Sequence, residues 1–151
     1  MGKVIEKDEL ITLVPHKGKM FLIDRITDYD LTAWSICSET TVRDSCLFYD
    51  KKSDSLPNYV LFEFIAQTIS ALTGIRIREN HLPINMGFIL SVSALKFGVP
   101  EIKQGETITA TANRTGEAGN VHTFEAIVKL SDKEIGGGKL TVLEVKKEDL
   151  E

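Results

Sequence analysis

Cysteine is scarce in this chain. Cys37 and Cys46 are the only two, with no CxxC spacing and no histidine beside them. That argues against a disulfide framework and a zinc site, and both read as reduced, partly buried thiols. Basic clusters are missing as well. No Lys/Arg run is longer than Lys51-Lys52 or Lys146-Lys147, and the formal net charge is -4, so a nucleic-acid groove is not expected. The first residues, Met1 to Glu9, are charged and lack the apolar core of a signal peptide, which makes the cytoplasm the expected compartment. The longest apolar run is interrupted by Asn58, Glu63, Gln67 and Thr68, which reads against a membrane span. Gly136-Gly137-Gly138 has no Lys-Ser/Thr and no following helix, so it is no phosphate loop. No metal and no cofactor are expected. Repeats, low-complexity stretches and Pro/Gly/Ser linkers are also absent, so residues 1–151 read as one domain.

What is present has ordinary globular composition, 42% hydrophobic and 26% charged. Met20 to Thr27 and Ala33 to Val42 read as strands, with Asp24-Arg25 as a local charge pair at a strand end. Pro57 to Arg78 reads as one long helix. Pro57 suits its first turn, Arg76 and Arg78 complement its C-terminal dipole, and Asn80 and Pro83 stop it. Four strand-like segments follow: Met86–Phe97, Glu106–Arg114, Val121–Leu130 and Ile135–Val145. The first opens apolar on both faces, which suggests a central strand. The triple glycine in the last suggests a bulge or a close backbone approach. Short connections imply antiparallel pairing. The fold class is therefore α+β, a long buried helix against a bent antiparallel sheet of about five to six strands.

Glu63 is the only formally charged side chain between Leu56 and Ile75. A carboxylate in such apolar surroundings loses hydration, and its pKa rises unless something pairs with it. Perturbed carboxylates cluster at active sites, which makes Glu63 the leading functional candidate. The competing explanation is a Glu reaching out at the helix N-terminus. Gln67 lies one turn later, and Ser70 and Gly74 continue a polar-to-small stripe suited to a tunnel wall or a subunit contact, with close helix–sheet packing as the alternative. Among only three histidines, His81 suits a cap after the helix and His122 falls in phase with Phe124 on a strand. His16, fixed after Pro15 ahead of an apolar segment, is the one placed to aim at a pocket, with a structural bond to backbone as the alternative.

Pro15-His16 followed by Met20-Phe21-Leu22-Ile23-Asp24-Arg25 resembles the opening of hotdog-fold 3-hydroxyacyl-[acyl-carrier-protein] dehydratases of the FabA/FabZ type. Glu63-Phe64-Ile65-Ala66-Gln67 is similar to that family's helix motif, and Gly87-Phe88-Ile89-Leu90 to its following strand. The resemblance runs in order from Leu10 to Glu144 and is strongest to the divergent ApeP-like branch. It implies a hotdog dimer, with active sites in tunnels at the interface that take an acyl chain on a pantetheine arm. A His removes the proton beside the thioester carbonyl, the helix carboxylic acid works on the departing 3-hydroxyl, and helix N-terminal N–H groups polarise the carbonyl.

The resemblance implies Glu63 as the catalytic acid; His16 is the local substitute for the family's base, and Gln67, Tyr49, Pro57, Asn58, Gly87 and Phe88 are the expected substrate-binding residues. Two departures stand out. Where the family carries its His-Phe-Pro histidine this chain has Tyr49, and where it has Pro-Gly this chain has Pro57-Asn58. Three functions follow: a dehydratase using His16 as base beside Glu63, an acyl-binding subunit completed by a FabA/FabZ-type partner, or a thioesterase in which Glu63 activates water. Expected partners are an acyl-carrier-protein or CoA-type thioester and a second hotdog chain, identical or homologous, with no nucleic acid and no membrane.

Overall fold

The computed structural model describes residues 4–83 and 85–150. Its elements in chain order are β1 (Ile5–Glu6), α1 (Lys7–Leu10), β2 (Arg25–Asp30), β3 (Ser35–Thr41), β4 (Ser55–Pro57), α2 (Leu61–Asn80), β5 (Asn85–Phe97), β6 (Glu101–Lys103), β7 (Thr107–Ala118), β8 (Val121–Leu130) and β9 (Lys133–Lys146). Seven strands form one antiparallel sheet in the order β1-β2-β3-β7-β8-β9-β5, and β4 pairs with β6 in a separate ribbon. The seventh strand beyond the expected five to six is β1. Two residues are too few to carry an alternation.

Helix α2 lies against β7, β3, β5 and β8. It buries Leu61, Phe64, Ile65, Thr68, Ile69, Leu72 and Ile75. Full burial of a side chain such as Phe64 or Ile65 contributes about 1.5–3 kcal/mol. By length and composition Asn58–Asn80 does pass for a membrane span, unlike the sequence expectation. Its apolar surface is instead spent on the sheet. The strands answer with strict alternation: Ile108, Ala110 and Ala112 of β7, and His122, Phe124, Ala126, Val128 and Leu130 of β8, are buried.

The sheet curves around the helix where side chains are missing. A Cβ on Gly136 would meet the Lys96 carbonyl oxygen at 1.9 Å, and one on Gly137 the Ala126 carbonyl oxygen at 2.0 Å. These glycines let β5 and β8 close in on β9 from either side.

Four local expectations change. Met20 closes a 3-10 turn (Gly18–Met20) and β2 starts only at Arg25. Phe21, Leu22 and Ile23 are buried without joining a ladder, so their apolarity reflects packing rather than pairing. Asp24 and Arg25 are not partners. Asp24 is buried and takes Arg43 on both oxygens and the Thr41 N–H, while Arg25 pairs with Glu39 and Glu6. Pro57 ends β4 opposite Glu101, and a 3-10 turn, Asn58–Val60, precedes α2. Finally, β5 is an edge strand. Both of its faces are apolar, yet among the described residues only β9 pairs with it. At the other end of α2, His81 adopts φ 51° and ψ 45°, and Leu82 N–H donates back to the Ile77 carbonyl at 3.0 Å, a left-handed helix stop.

Candidate active site

The segment between α1 and the 3-10 turn carries His16, and it is held to α2 from several sides. At Gly74 the helix approaches so closely that a Cβ there would meet the Leu13 carbonyl oxygen at 1.8 Å. The Lys17 ammonium donates to the carbonyls of Ile11 and Val14, folding the loop on itself. Just beyond, the buried Gln67 amide donates to the Met20 carbonyl at 2.8 Å and accepts the Leu22 N–H at 2.9 Å. His16 is left half-buried, with Nδ1 enclosed and without a hydrogen-bond partner among the described residues. Leaving such an atom unsatisfied costs about 1–3 kcal/mol.

His16 and Glu63 line the same cavity, of about 820 Å³. It runs beside α2 from Glu63 past Ala66, Ser70 and Thr73 to Ile77, about 21 Å at 1.5 Å per residue. Met86, Gly87 and Ile89 of β5 form the opposite wall, and Leu140 and Val142 of β9 the floor. The expected small stripe therefore does line a channel, at Ser70 and Gly74. Glu63 lines it half-buried rather than sealed in the core, and its Oε2 lies 3.4 Å from Gln67 Nε2. A smaller cavity of about 280 Å³, on the Phe64 side, holds none of the expected site residues.

The remaining expected residues separate. Gly87 lines the cavity; Gln67 sits behind it with its amide engaged; Phe88, Tyr49, Pro57 and Asn58 do not line it. Asn58 spends its backbone N–H on the Pro100 carbonyl and its side-chain amide on the Val99 carbonyl, which anchors the helix start. The Tyr49 hydroxyl faces Asp54 and Gln104 at 3.3 and 3.2 Å. Desolvation and then the Asp54 and Asp44 charges raise its pKa, so the phenol stays protonated at neutral pH.

Sequence reading missed a second polar cluster, at the other end of α2. Arg76 donates to Glu144 at 3.0 Å, His122 Nε2 lies 3.6 Å from the same carboxylate oxygen, and Arg114 reaches His122 Nδ1 at 3.2 Å. The Trp34 ring stacks on His122 and carries both guanidiniums, at 3.6 and 3.7 Å from its centroid. One signal was available: Glu144 continues the buried phase of Leu140 and Val142, where a charge needs a partner.

A single long helix in the curve of one antiparallel sheet, with a channel along its flank, defines a hotdog-fold protein. Residues 9–151 match the ApeP-like family model, described as ApeP dehydratase, and the chain belongs to that family. The 3-hydroxyacyl-[acyl-carrier-protein] dehydratase FabZ of Chlamydia trachomatis serovar L2 is 25% identical over 150 residues, 97% of either chain. Among solved structures, the dehydratase heterocomplex ApeI:P from Xenorhabdus doucetiae matches with a TM-score of 0.83 at 20% identity, over 93% of both chains. A thioesterase from Haemophilus influenzae matches with a TM-score of 0.68 at 14% identity, over 96% of this chain and 94% of its own. At these identities the two structures speak for the fold.

Proposed function

We propose that this chain is a 3-hydroxyacyl-thioester dehydratase of the cytoplasm, acting on acyl groups carried by an acyl carrier protein or a CoA-type pantetheine. The supporting observation is one channel lined by both Glu63 and His16. His16 takes the proton from C2 of the substrate. The freed pair forms the C2–C3 double bond, the C3–O bond breaks, and the Glu63 carboxyl protonates the departing hydroxyl, which leaves as water. A trans-2-enoyl thioester results. Return of the proton from His16 to Glu63 resets the site. The acyl chain lies along α2, where Ala66, Ser70 and Thr73 keep the channel open.

A second reading rests on β5. Met86, Phe88, Ile89, Leu90, Val92 and Leu95 each expose more than a third of their surface along this edge strand. Apolar patches of this kind mark interaction surfaces, and an unpaired strand edge accepts another strand. The occupant we propose is a second hotdog chain, identical or homologous, that walls off the channel mouth and brings its own side chains to Glu63. The heterocomplex nature of the Xenorhabdus relative supports a homologous partner.

One assay separates these readings. Incubated with a 3-hydroxyacyl-pantetheine thioester, the isolated chain forms the enoyl product, and Glu63→Gln slows it by at least about a hundredfold. Turnover only after addition of a FabZ-type chain selects the completed heterodimer. Release of free thiol selects a thioesterase and overturns the proposal.

A further inference from the structure

We propose that Gln67 is a positioning residue: it fixes which oxygen of Glu63 meets the substrate and ties that carboxyl to the loop bearing His16. This deepens the dehydratase reading and rests on it for its catalytic meaning. The sequence suggested that Gln67 contacts substrate, but the side chain is 1% exposed and does not line the channel.

The orientation of its amide is dictated by its neighbours. The oxygen must face the Leu22 N–H, at 2.9 Å, and the nitrogen must face the Met20 carbonyl, at 2.8 Å. A flipped amide would oppose donor to donor and acceptor to acceptor. The second N–H of the same nitrogen is thereby left for Glu63 Oε2, at 3.4 Å. An oxygen facing a donor is held as an acceptor. In the acid form of Glu63 the proton therefore sits on Oε1, and Oε1 is the atom that protonates the leaving hydroxyl.

The same amide grips the chain at Met20 and Leu22, shortly after His16, while Gly74 and Lys17 hold the segment before and around it. Loop and helix thus share one buried fixture. A shift of Gln67 disturbs acid and base together, without removing any surface that substrate touches.

Two measurements test this. In Gln67→Glu the acceptor for the Leu22 N–H is kept and the amide donor is lost. The expected result is a kcat reduced about tenfold to a hundredfold, with KM held within about twofold. A raised KM with kcat retained would make Gln67 a substrate contact and overturn the proposal, as would unchanged kinetics. The second measurement needs no variant and no turnover. In the wild-type protein, the side-chain amide resonances of Gln67 should move with the same midpoint as the Glu63 carboxyl carbon when pH is varied. Amide signals that stay fixed while Glu63 titrates would sink the coupling even if Gln67→Glu fails to fold. A protein inactive both alone and with a FabZ-type chain, whose Gln67 amide still follows Glu63, would instead overturn the dehydratase reading and leave the coupling standing.

Discussion

The two ends of α2 handle buried polarity in opposite ways. At the C-terminal end Arg76, Glu144, His122 and Arg114 satisfy one another, and the Trp34 ring covers them. Arg114 can only donate, so His122 Nδ1 accepts and the proton of the neutral ring stays on Nε2, toward Glu144. At the N-terminal end Gln67 is equally well satisfied, but His16, whose ring lines an open channel, has its enclosed Nδ1 without a partner among the described residues. A closed network costs stability when broken. At the open end the side chains of His16 and Glu63 line a cavity that a molecule from outside can enter. Under the proposed function the contrast sets structure at one end against chemistry at the other, and it is open to direct attack.

The largest expected effect falls on the closed end. Glu144→Ala leaves Arg76 buried without its carboxylate, and removing one member of a buried ion pair costs about 3–5 kcal/mol. Chemical denaturation would show it as a lower midpoint at unchanged slope. A loss under about 1 kcal/mol would mean the cluster is solvated rather than structural. At the open end the trade reverses. His16→Phe removes an unsatisfied nitrogen and keeps the ring, so stability is held or rises. Turnover should fall by at least about a hundredfold, the least expected from loss of a general base. A His16→Phe protein that is clearly less stable but keeps its specific activity would erase the distinction between the two ends.

Much of this architecture was legible in the chain. Unbroken alternation from Val121 to Leu130 placed β8, and the apolar stretch around Glu63 placed α2, because both signals come from residues that face the core on every period. What escaped was set by contacts distant in sequence. Whether Met86 to Val92 lies at the centre or the edge of the sheet depends on what covers it, and a chain with an apolar free edge reads like a buried strand. Gln67 and Glu63 share a helix face, yet the hydrogen bonds of Gln67 to Met20 and Leu22 turn it away from the channel. Arg76 was assigned to the helix dipole because Glu144, its partner, lies 68 residues away.

An intermediate effect tests how the open end is held. Gly74→Ala places a methyl where the Leu13 carbonyl oxygen already stands, 1.8 Å from the new Cβ. The loop has to lift from the helix, at about 1–3 kcal/mol, as in other overpacked sites. His16 moves with it. Loss of turnover beyond what the stability change accounts for is therefore expected, read as kcat measured well below the melting temperature of the variant. Activity equal to wild type at full folding would mean the loop position is not tied to the chemistry.

The smallest effect returns to the closed end, through pH. Burial lowers the pKa of His122 from its ordinary 6.5; Glu144 pulls the other way, and Arg114 and Arg76 add to the lowering. Glu117, paired with Arg114, also faces the ring and favours its charged form. In the unfolded chain the imidazole takes up its proton near pH 6.5, while the folded protein refuses it until a lower pH. More protons on the unfolded side means that stability rises with pH across that window. This contribution is complete above pH 6.5 and is lost as pH falls toward the folded value. Melting temperatures taken from pH 7 to pH 5 should therefore fall more steeply for the wild type than for His122→Phe, which keeps a ring against Trp34 and cannot titrate. Parallel slopes would mean that the proton is accommodated in the folded cluster, and that this end of α2 is less closed than its hydrogen bonds imply.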